Sequence, residues 1–449
     1  MDPSTFLPSL QAFCVVLLIS ILNFSHCVAA SETQIFHSSF DVVEFGAVGD
    51  GRTIDTTVRN LNKFIDSEPL VFFRCQKINV LSTIIWMNDS WQAFLKAWEV
   101  ACRTAGPVKL VIPYRRTFLL GPVYFNGNCR AHSIHVQILG NIVAPASPSS
   151  WAGQSTSHWL SFYQVQNLVI DGTGTIDGRG SAWWDCKRRS DQSCSLAPSA
   201  LEIINCRRVK LSGITSLNSQ GVHVKIVFSQ YVTVSNIKII APEESPNTDG
   251  INMGASQYVD IHDCNIQTGD DCIAMLGGSK FINISRISCG PGHGVSIGSL
   301  GRYSDMDIVE HVYVTDVNFY GTTNGARIKT WQGGNGLVTD VVFKNLFFWR
   351  AQNPIIIDQF YCPNQKSCPI YREAVKIQGV SFIRAVGTTT SDVAINLKCS
   401  DTVPCTDIVL KYVNLQAADP HEKTKAYCSN TRGWSSSIVL PRVPCLYSL

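Results

Sequence analysis

Residues 258–266, YVDIHDCNI, and residues 281–289, FINISRISC, follow one plan. Apolar and polar side chains alternate, a small or polar residue interrupts them, and an apolar residue then resumes. Alternation with a period of two marks a strand with one buried face, and the interruption is turn chemistry. The plan recurs as RVKLSGITS (208–216), YVTVSNIKI (231–239), HVYVTDVNF (311–319), DVVFKNLFF (340–348), AVKIQGVSF (374–382) and DIVLKYVNL (407–415), with starts 23 to 34 residues apart. Units of that length bury their apolar faces by stacking on one another. No helical segment separates the strands, which excludes a doubly wound α/β sheet. The expected fold is all-β: a single-stranded right-handed parallel β-helix, a solenoid whose turns repeat at roughly 4.8 Å. An antiparallel sandwich is the competing architecture. The open end of a solenoid needs a cover. WQAFLKAWEVAC (91–102) sets Trp91, Phe94, Leu95 and Trp98 at helical spacing and is expected to be a short N-terminal capping helix.

The chain has 449 residues, 45% hydrophobic and 16% charged, ample for a large core. A formal net charge of +3 gives no reason to expect a nucleic-acid partner. Residues 1–30 read as a secretory signal: an apolar run, AFCVVLLISIL (12–22), precedes a small-residue cleavage pattern ending at Ala30, although Asp2 is the only charged side chain there. The run is too short for a membrane span, and no later segment offers one, so no stable membrane association is expected. The mature part is read as one catalytic domain, residues 31–449. It retains 15 of the 17 cysteines, which in an exported chain should mostly pair. Cys186 with Cys194, Cys362 with Cys368 and Cys399 with Cys405 would close short loops. No His/Cys cluster has metal-ligand spacing, so neither metal nor cofactor is expected.

The repeats also set polar residues in register. Asp249 in SPNTDGI follows the repeat at 231, Asp270 and Asp271 in TGDDCIAM the one at 258, and His293 in CGPGHGVSIGSLG the one at 281. Arg327 and Lys329 in ARIKTW follow the one at 311, and all six lie 12 to 18 positions past a repeat start. Four consecutive turns should therefore present Asp, Asp-Asp, His and Arg/Lys as a column on one face. Adjacent strand residues point to opposite faces, so both aspartates reach one cleft only if the chain bends, and Gly269 is expected to permit that. Clustered carboxylates repel, and at least one should hold a proton near working pH. A protonated acid beside an ionised one suits hydrolysis of a glycosidic bond. Arg327 and Lys329 suit a substrate bearing carboxylates, such as a uronic-acid polymer. They equally suit ion pairs with the aspartates, and the two roles are compatible. His293, between glycines, is expected to tune a neighbouring carboxylate or to contact substrate.

Two patterns mislead. Residues 294–298, GVSIG, match the GxSxG nucleophile elbow, but no helix follows, so Ser296 is not expected to be a nucleophile. Residues 171–178, DGTGTIDG, are glycine-rich without a surrounding βαβ unit, and turns between coils explain them.

With SPNTDGI, TGDDCIAM, CGPGHGVSIGSLG, ARIKTWQGG and NPIIIDQFYC (353–362), in that order and spacing, the chain resembles the polygalacturonases of glycoside hydrolase family 28, above all the plant enzymes. The resemblance runs from about FDVVEFGAVGDG (40–51) onward. It implies a right-handed β-helix and metal-free, inverting hydrolysis of the α-1,4 linkages of polygalacturonan (pectin) by a secreted cell-wall enzyme, read as a monomer. By motif position Asp270 would be the general acid. Asp249 and Asp271 would hold and activate water, and His293 would support the acid cluster. Arg327 and Lys329 would bind substrate carboxylates, with Asn247 and Tyr361 as further substrate contacts. A pectate lyase and a catalytically inactive wall-polysaccharide binder are the competing functions.

Two departures stand out. Where the family commonly has His or a similar residue after NTDGI, this chain has Asn252. Upstream, GDGRT (49–53) and NDSWQAFLKAW (88–98) fit the family pattern but are separated by residues 54–87, which carry Cys75. That segment is read as foreign to the working fold, a translated intron in the gene model. Without Cys75 the exported cysteines number 14, compatible with seven pairs, Cys272 with Cys289 and Cys428 with Cys445 among them. A transcript that retains codons 54–87 would refute this reading.

Overall fold

The computed structural model describes residues 38–55, 93–151, 157–189, 197–302, 306–363, 371–436 and 438–448. The stretch 1–30 and all but the first two residues of 54–87 lie outside them. Those two are integrated: Ile54 ends the strand Asp50–Ile54, and the buried Asp55 accepts from Val48 N at 2.7 Å.

The named strands form a 21-stranded and an 11-stranded sheet, and every pairing between them is parallel. This is the right-handed parallel β-helix expected, and the antiparallel sandwich is excluded. The repeat works through two bends. The first residue of each repeat sits at φ between 53° and 64°, and the sixth at φ between 52° and 77°. In this left-handed region single residues turn the chain, so each coil folds into two short straight runs. Register corrects one repeat: Val341 pairs with Val380 and Phe343 with Phe382, so the seventh unit is GVSFIRAVG (379–387), not residues 374–382. The interruption is small or polar in every repeat but the last, where Tyr412 occupies it.

The side chains at the bends stack along the axis. Tyr231, Tyr258, Phe281 and His311 lie ring on ring at 4.7–4.8 Å. Such stacking, about 0.5–1.5 kcal/mol per pair, offsets the left-handed backbone, about 1–2 kcal/mol per residue. At the sixth position Arg286 grips both oxygens of Asp263, at 2.7 and 2.8 Å, and holds that carboxyl below the usual carboxylate range. Inside, Val232, Val259, Ile282, Val312, Val341, Val380 and Ile408 make one continuous buried file. β-branched side chains fit a pleated buried surface, and each full burial contributes roughly 1.5–3 kcal/mol.

The capping helix forms over Ala93–Arg103. It buries Phe94 and Trp98 against the first coils, with Phe94 edge-on to Phe118 and Trp98 Nε1 donating to Asn126 O at 2.8 Å. Trp91 lies outside the described residues. The Cys102–Cys129 disulfide ties the helix to the stack, and Cys272–Cys289, Cys399–Cys405 and Cys428–Cys445 form as expected. Cys186 and Cys362 are also disulfide-bonded. Seven pairs do not form. Cys206 and Cys264 are buried free thiols, both pushed up to about 11 by burial. Each is a core filler: Cys206 takes the place that Ser229 and Ser256 fill on the next two turns, where backbone N–H groups bond the side chain above. Among the described residues no helix is long and apolar enough to cross a membrane.

Candidate active site

The 11-stranded sheet carries the polar column. Ile251, Ile273, Val295 and Ala326 pair in turn across four strands. The residues two places earlier are Asp249, Asp271, His293 and Asn324; one place later come Asn252, Ala274, Ser296 and Arg327. Lys329 follows two positions on in the same strand, Asn324–Trp331.

Asp271 is the buried hub. Lys329 Nζ donates to its Oδ2 at 2.8 Å, and Ser296 Oγ donates to its Oδ1 at 2.8 Å. Arg327 Nη2 also donates to Oδ1, while Arg327 Nε donates to Ser296 Oγ at 2.9 Å. Arg327 and Lys329 are themselves buried, 9% and 7% exposed, so they are built into the site wall as partners of a carboxylate. Ser296 lies inside the strand Val295–Leu300 and orients Asp271.

Asp270 faces the other way. Its Oδ1 accepts from His293 Nδ1 and from Asp271 N, both at 2.9 Å, and its Oδ2 accepts from Asn247 Nδ2 at 3.2 Å. The bend that separates the two aspartates comes just before the strand Ile273–Met275. Gly269 does not supply it through a left-handed backbone. A Cβ there would lie 2.1 Å from Ser245 O, so glycine is needed because the preceding coil passes too close. The Cys272–Cys289 disulfide anchors the chain directly behind the pair.

Asp249 completes the group, with Asn252 Nδ2 donating to its Oδ2 at 3.2 Å. Its environment differs from that of Asp270. Burial, then the charges of Asp270 and Asp271, push Asp249 well above the usual carboxylate range, against a pull from Lys329. Burial also pushes Asp270 up, but the bond and charge of His293, the charge of Lys329 and the Asp271 N–H outweigh it and hold Asp270 below that range. Of the two, Asp249 is therefore the carboxyl that holds a proton more readily.

Tyr361 lies beyond Lys329, whose ammonium sits 5.4 Å from the ring centre, and Trp331 packs edge-on against it at 5.4 Å. The structure thus brings Asn247, Asp249, Asp270, Asp271, His293, Arg327, Lys329 and Tyr361 into one network. Sequence reasoning missed three members, one of them Ser296, which it weighed only as a nucleophile. Asn252 was seen only as a departure, and Lys187 not at all. Lys187 reaches in from the helix Ser181–Arg188 and donates to Asn247 Oδ1. Asp270, Asp271 and His293 bring one possible metal-ligand atom each within 4.8 Å of the others. Both Asp271 oxygens already accept from cations, so an ion there would have to displace Arg327 and Lys329.

Residues 102–438 match the model of the glycosyl hydrolases family 28. A probable polygalacturonase of Arabidopsis thaliana is 42% identical over 419 residues, covering 92% of this chain and 82% of that protein. The polygalacturonase of Persea americana is 40% identical over 345 residues, 76% of this chain and 74% of its own length. Among solved structures, the endo-xylogalacturonan hydrolase of Aspergillus tubingensis superposes with a TM-score of 0.65 at 27% identity, over 76% of this chain and 92% of that one. The family match spans every strand of the 11-stranded sheet together with the whole polar column, and the chain belongs to glycosyl hydrolases family 28.

Proposed function

We propose that this chain hydrolyses α-1,4-galacturonosyl linkages of polygalacturonan with inversion at the anomeric carbon. The observation that carries the reading is the cluster of Asp249, Asp270 and Asp271 with unequal donor sets, which push Asp249 up and Asp270 down, beside two cations built into the wall. The similarity to polygalacturonases supports the choice of polymer.

In this reading Asp270, the general acid that its motif position implies, serves the leaving oxygen. A bound uronate ring brings negative charge and removes the remaining water at Asp270, and both effects favour its protonated form. The proton then leaves Asp249 for Asp270, and one step arms both groups. Asp270 donates to the glycosidic oxygen as the C1–O bond breaks. Asp249, now ionised, takes a proton from the water that attacks C1 from the opposite face. Asp271, neutralised by Arg327 and Lys329, holds that water in line. Lys329 and Tyr361 border the site where a galacturonate carboxylate would rest.

The proton order of the free protein favours a second assignment, with Asp249 as acid and Asp270 as base. Asp270→Asn and Asp249→Asn should be assayed on polygalacturonate and on a galacturonoside with an acidic phenol leaving group. The acid variant is spared on the phenol substrate, which needs no protonation, and the base variant fails on both. Sparing of Asp270→Asn supports the first assignment, sparing of Asp249→Asn the second. Full activity of both on polymer removes the hydrolytic reading. Proton NMR of the first product should show the β-anomer, and calcium-dependent absorbance from an unsaturated product would instead mark a lyase. Secretion is proposed from residues 1–30 and from the disulfides, which persist in oxidising compartments.

A further inference from the structure

Lys187 lies 60 residues from Asn247 in sequence yet donates to its side-chain oxygen. Its helix, Ser181–Arg188, is pinned on several sides. Trp183 and Trp184 are buried, Trp184 Nε1 donates to Ser219 O at 3.0 Å, Cys186 is disulfide-bonded, and Arg188 Nη1 donates to Glu244 O at 3.2 Å. The ammonium is therefore delivered to Asn247 by a built support. It also lies in the field of both Asp270 and Asp249, which partly offset the downward push of burial on it.

An ammonium has donors only, whereas a carboxamide has a donor end and an acceptor end of nearly equal shape. Lys187 can meet only the oxygen of Asn247. The amide nitrogen is then forced toward Asp270 Oδ2. With Oδ1 occupied by His293 and the Asp271 N–H, a proton on Asp270 resides on Oδ2. If the amide turned over, its oxygen would face that proton and accept it.

We propose that Lys187 is a positioning residue for proton donation: by fixing the orientation of the Asn247 amide, it prevents Asn247 from capturing the proton that Asp270 delivers to the leaving oxygen. The inference rests on Asp270 as general acid. The charged groups that face Asp270 are His293, Asp249, Asp271, Lys329 and Lys187. Losing Lys187 removes a nearby cation and frees the Asn247 amide, whose N–H otherwise donates to the ionised Asp270, so the Asp270 proton should leave at higher pH.

Lys187→Met and Lys187→Arg should be compared with the wild type on polygalacturonate from pH 3 to 8, and on the phenol galacturonoside. Lys187→Met should lower kcat on polymer about tenfold and move the alkaline limb of its pH profile upward, with KM changed less than twofold. Activity on the phenol substrate should be unchanged. Lys187→Arg, also a donor-only cation, should restore both kcat and the limb. A rise in KM with an unmoved limb would make Lys187 a substrate ligand and overturn the proposal. A loss that extends to the phenol substrate, or that Lys187→Arg does not repair, would overturn it as a structural effect. Failure of Asp270 as acid would show separately, as loss of the phenol activity in Asp270→Asn while Lys187→Met keeps it.

Discussion

Replacing His223 with glutamine should flatten the acid side of the stability profile. His223 is fully buried, its Nδ1 lies 2.8 Å from Ser216 Oγ, and its Nε2 has no partner among the described residues. Burial pushes the imidazole down to about 3. An unfolded histidine takes its proton near pH 6.5. Between those values the unfolded chain binds the extra proton, so stability falls as pH drops from about 6.5 toward 3. At 1.36 kcal/mol per unit, the loss is about 2 kcal/mol at pH 5 and about 3 kcal/mol at pH 4. A chain of 449 residues has an unfolding entropy near 0.9 kcal/mol/K at about 2.1 cal/mol/K per residue, so Tm should fall by about 2 °C and about 4 °C respectively. Asp249 contributes the opposite slope, because a raised carboxyl holds its proton in the fold above the unfolded value. That contribution is common to both proteins and cancels in their difference. The assay is scanning calorimetry of wild type and His223→Gln at pH 7, 5 and 4 with disulfides intact. The Tm advantage of wild type at pH 7 should shrink by about 4 °C at pH 4. Parallel curves would show that the buried imidazole finds a partner for its proton, and would refute the reasoning.

Asp271→Asn leaves Arg327 and Lys329 buried without their carboxylate, which should cost about 3–5 kcal/mol and abolish polymer hydrolysis; an unchanged denaturation midpoint would contradict the pairing. Cys272–Cys289 and Cys428–Cys445 span the same separation, 17 residues, so replacing either pair with serine should cost a similar amount, about 3 kcal/mol. Only the first adjoins the acid pair, so kcat at 25 °C should drop for that variant alone. Peptides containing Cys206 and Cys264 should take up alkylating reagent in denaturant and stay unlabelled in the native protein, as mass spectrometry of the digests would show.

Much of the fold was legible because the coil plan is local. Strand alternation and bends recur at fixed offsets, and seven of eight repeats fall in their observed register. Residues 374–382 failed for a physical reason. Val375 and Ile377 are buried in alternation just as Val380 and Phe382 are, so period-two patterning alone cannot choose between them. The left-handed bend at Gly379 decides, and a bend at a lone glycine has no signature beyond that residue. The column of Asp249, Asp271 and His293 was legible because its members are 22 residues apart, the length of the coils that carry them. Lys187 was not, because its helix leaves the repeat and returns over the cleft through tertiary contacts.

The solenoid explains how adjacent, chemically identical carboxylates come to hold protons differently. Stacking alone would make Asp249, Asp270 and Asp271 equivalent, and mutual repulsion would only raise them together. Each instead meets a different set of donors, some from its own coil and some from the coils beside it. Asp271 receives two cations, Asp270 an imidazole, a backbone N–H and an amide, and Asp249 the single amide of Asn252. Burial and the charges of its neighbours push Asp249 up with one amide to oppose them, whereas the donors on Asp270 outweigh its burial, so of these two Asp249 is the one that holds a proton more readily. Acid and base roles are thus set by the donors that surround each carboxylate. A donor change at Asn252, which bonds Asp249, or at Lys187, which bonds the Asn247 that serves Asp270, should therefore shift the balance of the proton without altering any of the three carboxylates.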